Sequence, residues 1–287
     1  MRLTGPLGGV IRNSPTCTRA VRHALFIAVR VCLDVARDVS VTTRLILLFD
    51  LDGTLVTAGG ADRRALLRAF RELWGVDAAI DGLQVHGRTD PEIMENIFQA
   101  RLGRSIRATE RELLYRRYLA HLEQELISSP GFRVLLGVRE LLETLGADRD
   151  ILLGLATGNL EEAATLKLHR AELDGTFRFG GFGSDAADRE ALVWLAIDRG
   201  RVLLGRQTHA VEVLLVGDTV LDVAAGKGLK VSTVAVASGS DSYETLAAAD
   251  PDHLLSDLSD PTAFLRILEM VREGRRALGA GGSLVQP

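Results

Sequence analysis

Short apolar runs recur along this chain, each ending in a polar or glycine-rich turn and followed by a stretch of helical periodicity. "LILLFD" (45–50), "ILLGLATGN" (151–159), "FRFGGFGSD" (177–185), "VEVLLVGDT" (211–219) and "VSTVAVAS" (231–238) predict strands. None alternates strictly between apolar and polar positions, the pattern of parallel strands covered by helices on both faces. Helical periodicity lies between most of them, over 136–146, 160–172, 187–200 and 220–229, with a final helix over about 261–275. Strands alternating with helices predict an α/β fold: a Rossmann-like, three-layer, doubly wound parallel sheet.

The interval between the first two strands breaks this rhythm. Residues 60–128 carry three helical patterns, about 61–74, 90–102 and 108–127, and no convincing strand. That is too much chain for one crossover, so an inserted helical domain is expected over 59–129. The core is then 44–58 with 130–275, and 276–287 is a flexible tail. Gly59-Gly60 and Ser128-Ser129-Pro130-Gly131 supply hinge chemistry at the two ends of the insertion.

Composition changes this picture mainly at the N-terminus. Of 287 residues, 47% are apolar and 25% charged, as in a globular protein. Residues 1–44 hold seven Arg against Asp34 and Asp38, while the remainder carries about −9 (27 basic, 36 acidic). An acidic main body argues against nucleic acid as a partner. The apolar stretch 24–29 is too short to span a membrane and is followed by Arg30. Residues 1–43 are expected to be an extension, poorly ordered or a short amphipathic helix over about 19–38, or an overcalled start with Val41 as the initiation site. Cys17 and Cys32 both lie in this segment, so the main body has no thiol nucleophile, disulfide or Cys-based zinc site. A reducing cytoplasm, no membrane, and a monomer or homodimer are the expectations.

The candidate chemistry sits where the strands end. In a parallel α/β sheet, ligands gather beyond the carboxyl ends of the strands. The polar residues there are Asp50 and Asp52; Thr157, Gly158 and Asn159; Ser184 and Asp185; then Asp218 and Asp222. Four aspartates from two distant segments would converge, and a hard cation such as Mg²⁺ makes that favourable. Without a His/Cys cluster, zinc is the poorer choice. Asp218 and Asp222 are four residues apart and share a face on an incipient helix. Trp74 and Trp194 fall in helical patterns and are expected to pack in the core or cap.

"DLDGT" at 50–54, "ATGN" at 156–159 and "GDTVLD" at 217–222 resemble, in order and spacing, the motifs of haloacid dehalogenase superfamily phosphatases. The resemblance covers about residues 44–275, and is closest to phosphoglycolate-phosphatase-like members with a helical cap. It implies a Mg²⁺-dependent phosphatase acting on a small phosphorylated metabolite through an aspartyl-phosphate. Asp50 would be the nucleophile and Asp52 the general acid, then base. The metal would be held by the Asp50 side chain, the Asp52 backbone carbonyl and Asp218, with Asp222 supporting the shell directly or through water. Thr157, Gly158 and Asn159 would bind phosphate. Gly53 would allow the sharp turn and Thr54 would brace it.

The resemblance also implies a phosphate-binding cation ahead of the last catalytic strand. Arg189, just after "GFGSDAAD", is the first candidate and Lys167 the second, because Lys167 lies more than two turns along a helix leaving the strand ends. In the cap, "HGRTDPEI" (86–93) resembles a substrate-facing loop, with Arg88 placed to touch the substrate and Thr89 or Asp90 placed to cap the next helix. A phosphomutase of the same fold shares these motifs, and a non-catalytic phosphometabolite-binding protein is the rival from another class. A dehalogenase needs no second aspartate, so Asp52 argues against one.

Overall fold

The computed structural model describes residues 44–78, 85, 87–205 and 211–279. The extension 1–43, its expected helix, the stretches 79–84 and 206–210, residue 86, and 280–287 lie outside the described residues.

Strand β1 (Arg44–Phe49) is central because every residue from Leu45 to Phe49 is fully buried. Burying such side chains contributes roughly 1.5–3 kcal/mol each. Parallel β4 (Ile151–Thr157) flanks it on one side and β6 (Val211–Gly217) on the other. β5 (Gly180–Phe182) lies outside β4, and β7 (Ser232–Val236) and β8 (His253–Leu255) lie outside β6. The order β5-β4-β1-β6-β7-β8 reverses direction around β1. That reversal opens a crevice beyond the ends of β1, β4 and β6.

Alternate residues of β1 serve different cores, which is why the strand reads as a continuous apolar run. Leu45, Leu47 and Phe49 pack with α4 (Val138–Gly146) and α9 (Pro261–Gly279), Phe49 stacking on Phe264 with ring centroids 6.1 Å apart. Ile46 and Leu48 pack instead with α6 (Arg189–Leu204) and α7 (Val220–Leu229). The result is the three-layer α/β arrangement the sequence predicts.

Of the helices described between β1 and β4, three form the insertion ahead of α4: α1 (Ala61–Trp74), α2 (Asp90–Leu102) and α3 (Ala108–Ser128). Phe70, Phe98, Leu114, Tyr118 and Leu122 give them their own apolar cluster, which also takes in Leu160 and Ala163 at the start of α5 (Glu161–Arg170). Trp74 joins it edge-on to Phe98, 5.0 Å between centroids. Trp194 does not pack: it is 53% exposed on α6, contrary to expectation. Its helix turns that position away from the sheet while Leu192, Val193 and Ala196 face inward.

Several elements differ from the sequence pattern. The connections into and out of the three helices pair as a short antiparallel ladder, β2 (Val56–Ala58) with β3 (Phe132–Val134). Gly59 and Gly131 meet just beyond it, at positive φ for Gly59 (61°), and a Cβ on Gly59 would fall 2.3 Å from the Gly131 carbonyl carbon. β5 shrinks to three residues of the expected 177–185, since glycines 180 and 181 give no side-chain pattern from which to place its ends. Helix α8 (Tyr243–Ala248) and β8 had no sequence forecast.

Candidate active site

The crevice beyond β1, β4 and β6 holds a cavity of about 330 Å³ lined by both the sheet ends and the three helices. Asp50 and Asp52 leave β1, Thr157 and Asn159 leave β4, and Asp218 and Asp222 follow β6. Gly53 makes this convergence possible. Its φ is 85°, and a Cβ there would meet the Asp218 carboxylate at 2.4 Å, so only glycine fits the turn.

Carboxylate oxygens of Asp50, Asp218 and Asp222 all lie within 4.8 Å of one another, and all three residues are buried. Burial, then the charges of Asp50 and Asp222, push the Asp218 carboxyl up to about 8. Burial raises Asp50 to about 6; the Arg189 charge opposes this while Asp222 and Asp52 reinforce it. The pocket therefore has more negative charge than its side chains neutralise. A dication would relieve it, and the donors are all hard oxygens, so the cluster can hold a metal.

Each carboxylate is oriented by named partners. Asp218 accepts from the Thr54 hydroxyl at 3.3 Å and from the Ser240 N–H at 2.8 Å and hydroxyl at 3.2 Å. Thr54 thus braces the carboxylate across the site. Asp222 does two jobs. One oxygen accepts from the Thr219 N–H (3.2 Å) and hydroxyl (2.6 Å) in a capping box that starts α7; the other accepts from Arg189.

Arg189 stands in the first turn of α6, on the site side of the sheet. Its Nη2 reaches Asp50 Oδ1 at 3.0 Å and donates to the Ala156 carbonyl at 3.1 Å, while Nε donates to Asp222 at 3.0 Å. Burial alone would lower its pKa, but the Asp222 and Asp50 charges outweigh it and hold the guanidinium firmly protonated.

Lys167 corrects one expectation. It was placed far from the site, but its buried ammonium lies 2.6 Å from Asp52 Oδ2 and lines the same cavity. It also donates to Asn159 Oδ1 at 2.6 Å and pairs with Asp62 Oδ1 at 2.7 Å. Its starting point on α5 is about 9 Å along the axis. A helical side chain, however, leans back toward the N-terminus, and a lysine stem returns most of that distance. Burial would depress this ammonium, yet Asp52, Asp62 and Asp90 hold its pKa above the ordinary lysine value.

Of the β4 loop residues, Asn159 has its amide engaged with the protein. Its Nδ2 donates to Asp52 Oδ2 at 2.7 Å and to Thr157 Oγ1 at 2.9 Å, and its N–H donates to Thr157 Oγ1 at 3.3 Å. The fully buried Thr157 hydroxyl accepts these bonds, which leaves its own proton to offer a ligand. Gly158 touches the helical insertion: its carbonyl accepts from the Asp90 N–H at 2.7 Å, and a Cβ on it would strike the Arg88 carbonyl at 2.5 Å. Arg88 lines the cavity and pairs with Glu92 one turn on. Thr89 caps α2, accepting from the Glu92 N–H at 3.4 Å. Asp52 Oδ2 is turned toward Lys167 and Asn159 and lies outside the three-carboxylate cluster, leaving its backbone carbonyl for any metal role.

Asp62, Asp90 and Ser240 are site-lining or supporting residues that the sequence reading did not assign to the chemistry. The two aspartates fall in first turns, where acidic residues commonly stabilise a helix end, so nothing marked them as more. Asp90 Oδ2 accepts from the Leu160 N–H at 2.9 Å, tying α2 to the start of α5. Burial raises its carboxyl from 3.8 to about 7, against the pull of the Lys167 charge and that hydrogen bond. A folded-state pKa above the unfolded one means the folded protein holds an extra proton in that window, so Asp90 reduces stability as pH rises from about 4 to 7. Asp90→Asn, which keeps an acceptor for Leu160, is expected to show a flatter urea midpoint than the wild type across that range. Parallel curves for the two proteins would rule this out.

The comparisons agree with this geometry. A family profile for haloacid dehalogenase-like hydrolases matches residues 47–236, a span that runs from β1 through β7. The pyrophosphatase PpaX of Listeria monocytogenes serotype 4b (strain CLIP80459) is 27% identical over 221 residues, 77% of this chain and 95% of that protein. A hydrolase from Pseudomonas syringae has a similar fold, with a TM-score of 0.59 at 23% identity over 79% of this chain and 99% of that one. A predicted phosphoglycolate phosphatase from Haemophilus somnus 129pt gives 0.57 at 20% identity over 79% and 98%. Among the described residues, no helix is long and apolar enough to cross a membrane. With the motif order, the sheet topology and the buried aspartate cluster all in place, the profile match over most of the fold leads to one conclusion: this chain belongs to the haloacid dehalogenase-like hydrolase family.

Proposed function

We propose that the protein is a Mg²⁺-dependent phosphatase that hydrolyses a small phosphomonoester through an aspartyl-phosphate on Asp50. The observation that carries this is the arrangement of Asp50 and Asp52. They leave one strand end, yet Asp50 faces Asp218, Asp222 and Arg189 while Asp52 faces Lys167 and Asn159. Two carboxylates two residues apart thus occupy different surroundings, as separate nucleophile and acid/base roles require.

Asp50 attacks phosphorus as the bond to the leaving oxygen breaks, and Asp52 delivers a proton to that oxygen. Asp52 then takes a proton from the water that cleaves the acyl phosphate, which regenerates the Asp50 carboxylate. Thr157 and Arg189 offer donors to the phosphoryl oxygens as charge moves onto them. Mg²⁺ held by Asp50, Asp218 and the Asp52 carbonyl would neutralise the phosphoryl charge. Asp222, with its oxygens already bonded to Arg189 and Thr219, suits a water-mediated place in that shell.

Leu66, Ile93 and Met94 contribute an apolar wall on the cap side of the cavity, beside Arg88. A small metabolite with some carbon framework fits this lining. The likeness to the pyrophosphatase PpaX makes pyrophosphate the alternative substrate. A panel of phosphomonoesters plus pyrophosphate, assayed for phosphate release with Mg²⁺ and with EDTA, tests the reading. Release from a monoester that EDTA abolishes is the expected result. Preference for pyrophosphate would replace the monoester, and no release from any member would end the hydrolase reading.

A further inference from the structure

The buried Lys167 ammonium has three N–H donors and three acceptors around it: Asp52 Oδ2 at 2.6 Å, Asn159 Oδ1 at 2.6 Å and Asp62 Oδ1 at 2.7 Å. In this state no donor is left to bind a phosphate. The three partners come from three parts of the chain. Asp52 follows β1, Asn159 belongs to the β4 loop, and Asp62 stands in the first turn of cap helix α1. Asp62 is itself steadied from the cap, since the Tyr118 hydroxyl of α3 donates to it at 3.3 Å. The chain of contacts therefore runs Tyr118, Asp62, Lys167, Asp52, from the cap's apolar core to the proposed proton donor.

Resting on the phosphatase reading above, we propose that Lys167 is a positioning residue and that Asp62 acts through it. Lys167 holds the Asp52 carboxyl in the orientation that delivers a proton to the leaving oxygen. Asp62 completes the hold on Lys167 only when the cap is seated over the cavity. Seating the cap and aligning the acid/base are then one event, which keeps Asp52 from working on an open, wet site.

Two esters separate this from a purely structural role. p-Nitrophenyl phosphate releases a phenolate that needs no proton, whereas glycerol 2-phosphate releases an alkoxide that does. Asp62→Asn preserves shape and is expected to lower kcat/KM, which reads only the steps up to departure of the leaving group, about 10-fold on glycerol 2-phosphate and less than about 3-fold on p-nitrophenyl phosphate. Lys167→Met should show the same split at about 10²-fold. The double variant should match Lys167→Met alone, because the hydrogen-bonded link from Asp62 to Asp52 runs through that ammonium. Equal losses of kcat/KM on both esters, or additive effects in the double variant, would each overturn the proposal. If Lys167→Met does not fold, the leaving-group split in Asp62→Asn decides the matter alone. A wild-type protein that releases phosphate from neither ester defeats the phosphatase reading, and this coupling with it, before any variant is made.

Discussion

Asp50→Asn is expected to reduce phosphate release from p-nitrophenyl phosphate by about 10⁴-fold or more while leaving the fold intact. An amide has no lone pair basic enough to displace an alkoxide or phenolate from phosphorus, and no neighbouring carboxylate can take over. Asp218 is bonded to Thr54 and Ser240, Asp222 to Thr219 and Arg189, and Asp52 to Lys167 and Asn159. The same substitution should not destabilise the metal-free protein at pH 8. Burial and its acidic neighbours raise the Asp50 carboxyl to about 6, so its ionised form opposes folding above that pH. Removing the charge is expected to raise stability on the order of 1 kcal/mol, read as the urea midpoint without Mg²⁺. Residual activity within a factor of ten of wild type would show that the nucleophile lies elsewhere.

Arg189→Met carries the other large effect, and here stability falls with activity. The guanidinium is buried and bridges Asp50, Asp222 and the Ala156 carbonyl. Deleting it leaves two buried carboxylates without their compensating charge, at a cost of about 3–5 kcal/mol. Phosphate release should drop about 10²–10³-fold through loss of a donor to the transferring group. Arg189→Lys keeps the charge but loses the planar fork, so its stability loss should be the smaller of the two. Added Mg²⁺ should recover more unfolding free energy in Arg189→Met than in wild type, since a cation then meets an under-compensated cluster. Urea titrations with and without the ion measure this. A variant as stable as wild type would show that the Arg189 bridge is not what balances those carboxylates.

Much of this was legible in the sequence wherever burial and chemistry coincide in a short run. "LILLFDLDGT" shows the both-sides-buried central strand and its paired aspartates together. "ATGN" and "GDTVLD" mark the neighbouring strand ends through their turn residues. The reach of Lys167 is not legible there, because a position along a helix is not a distance from its end when the side chain is long and leans back toward the N-terminus. Asp62 and Asp90 escaped notice because a first-turn acid looks the same whether it faces solvent or a buried ammonium. β2 and β3 were missed because three residues are too few to show a period, and they become strands only by pairing across the insertion.

That pairing has a consequence for the chain as a polymer. Ala58 and Phe132 are directly opposed in the β2–β3 ladder, with everything in the cap between them. To the sheet below, the whole insertion is a loop whose two ends are already in contact. The entropy of closing such a loop rises only with the logarithm of its length, by about 0.6 kcal/mol per doubling. The core is therefore nearly indifferent to how much chain is suspended from that ladder, and a cap of quite different size could be carried on the same catalytic floor.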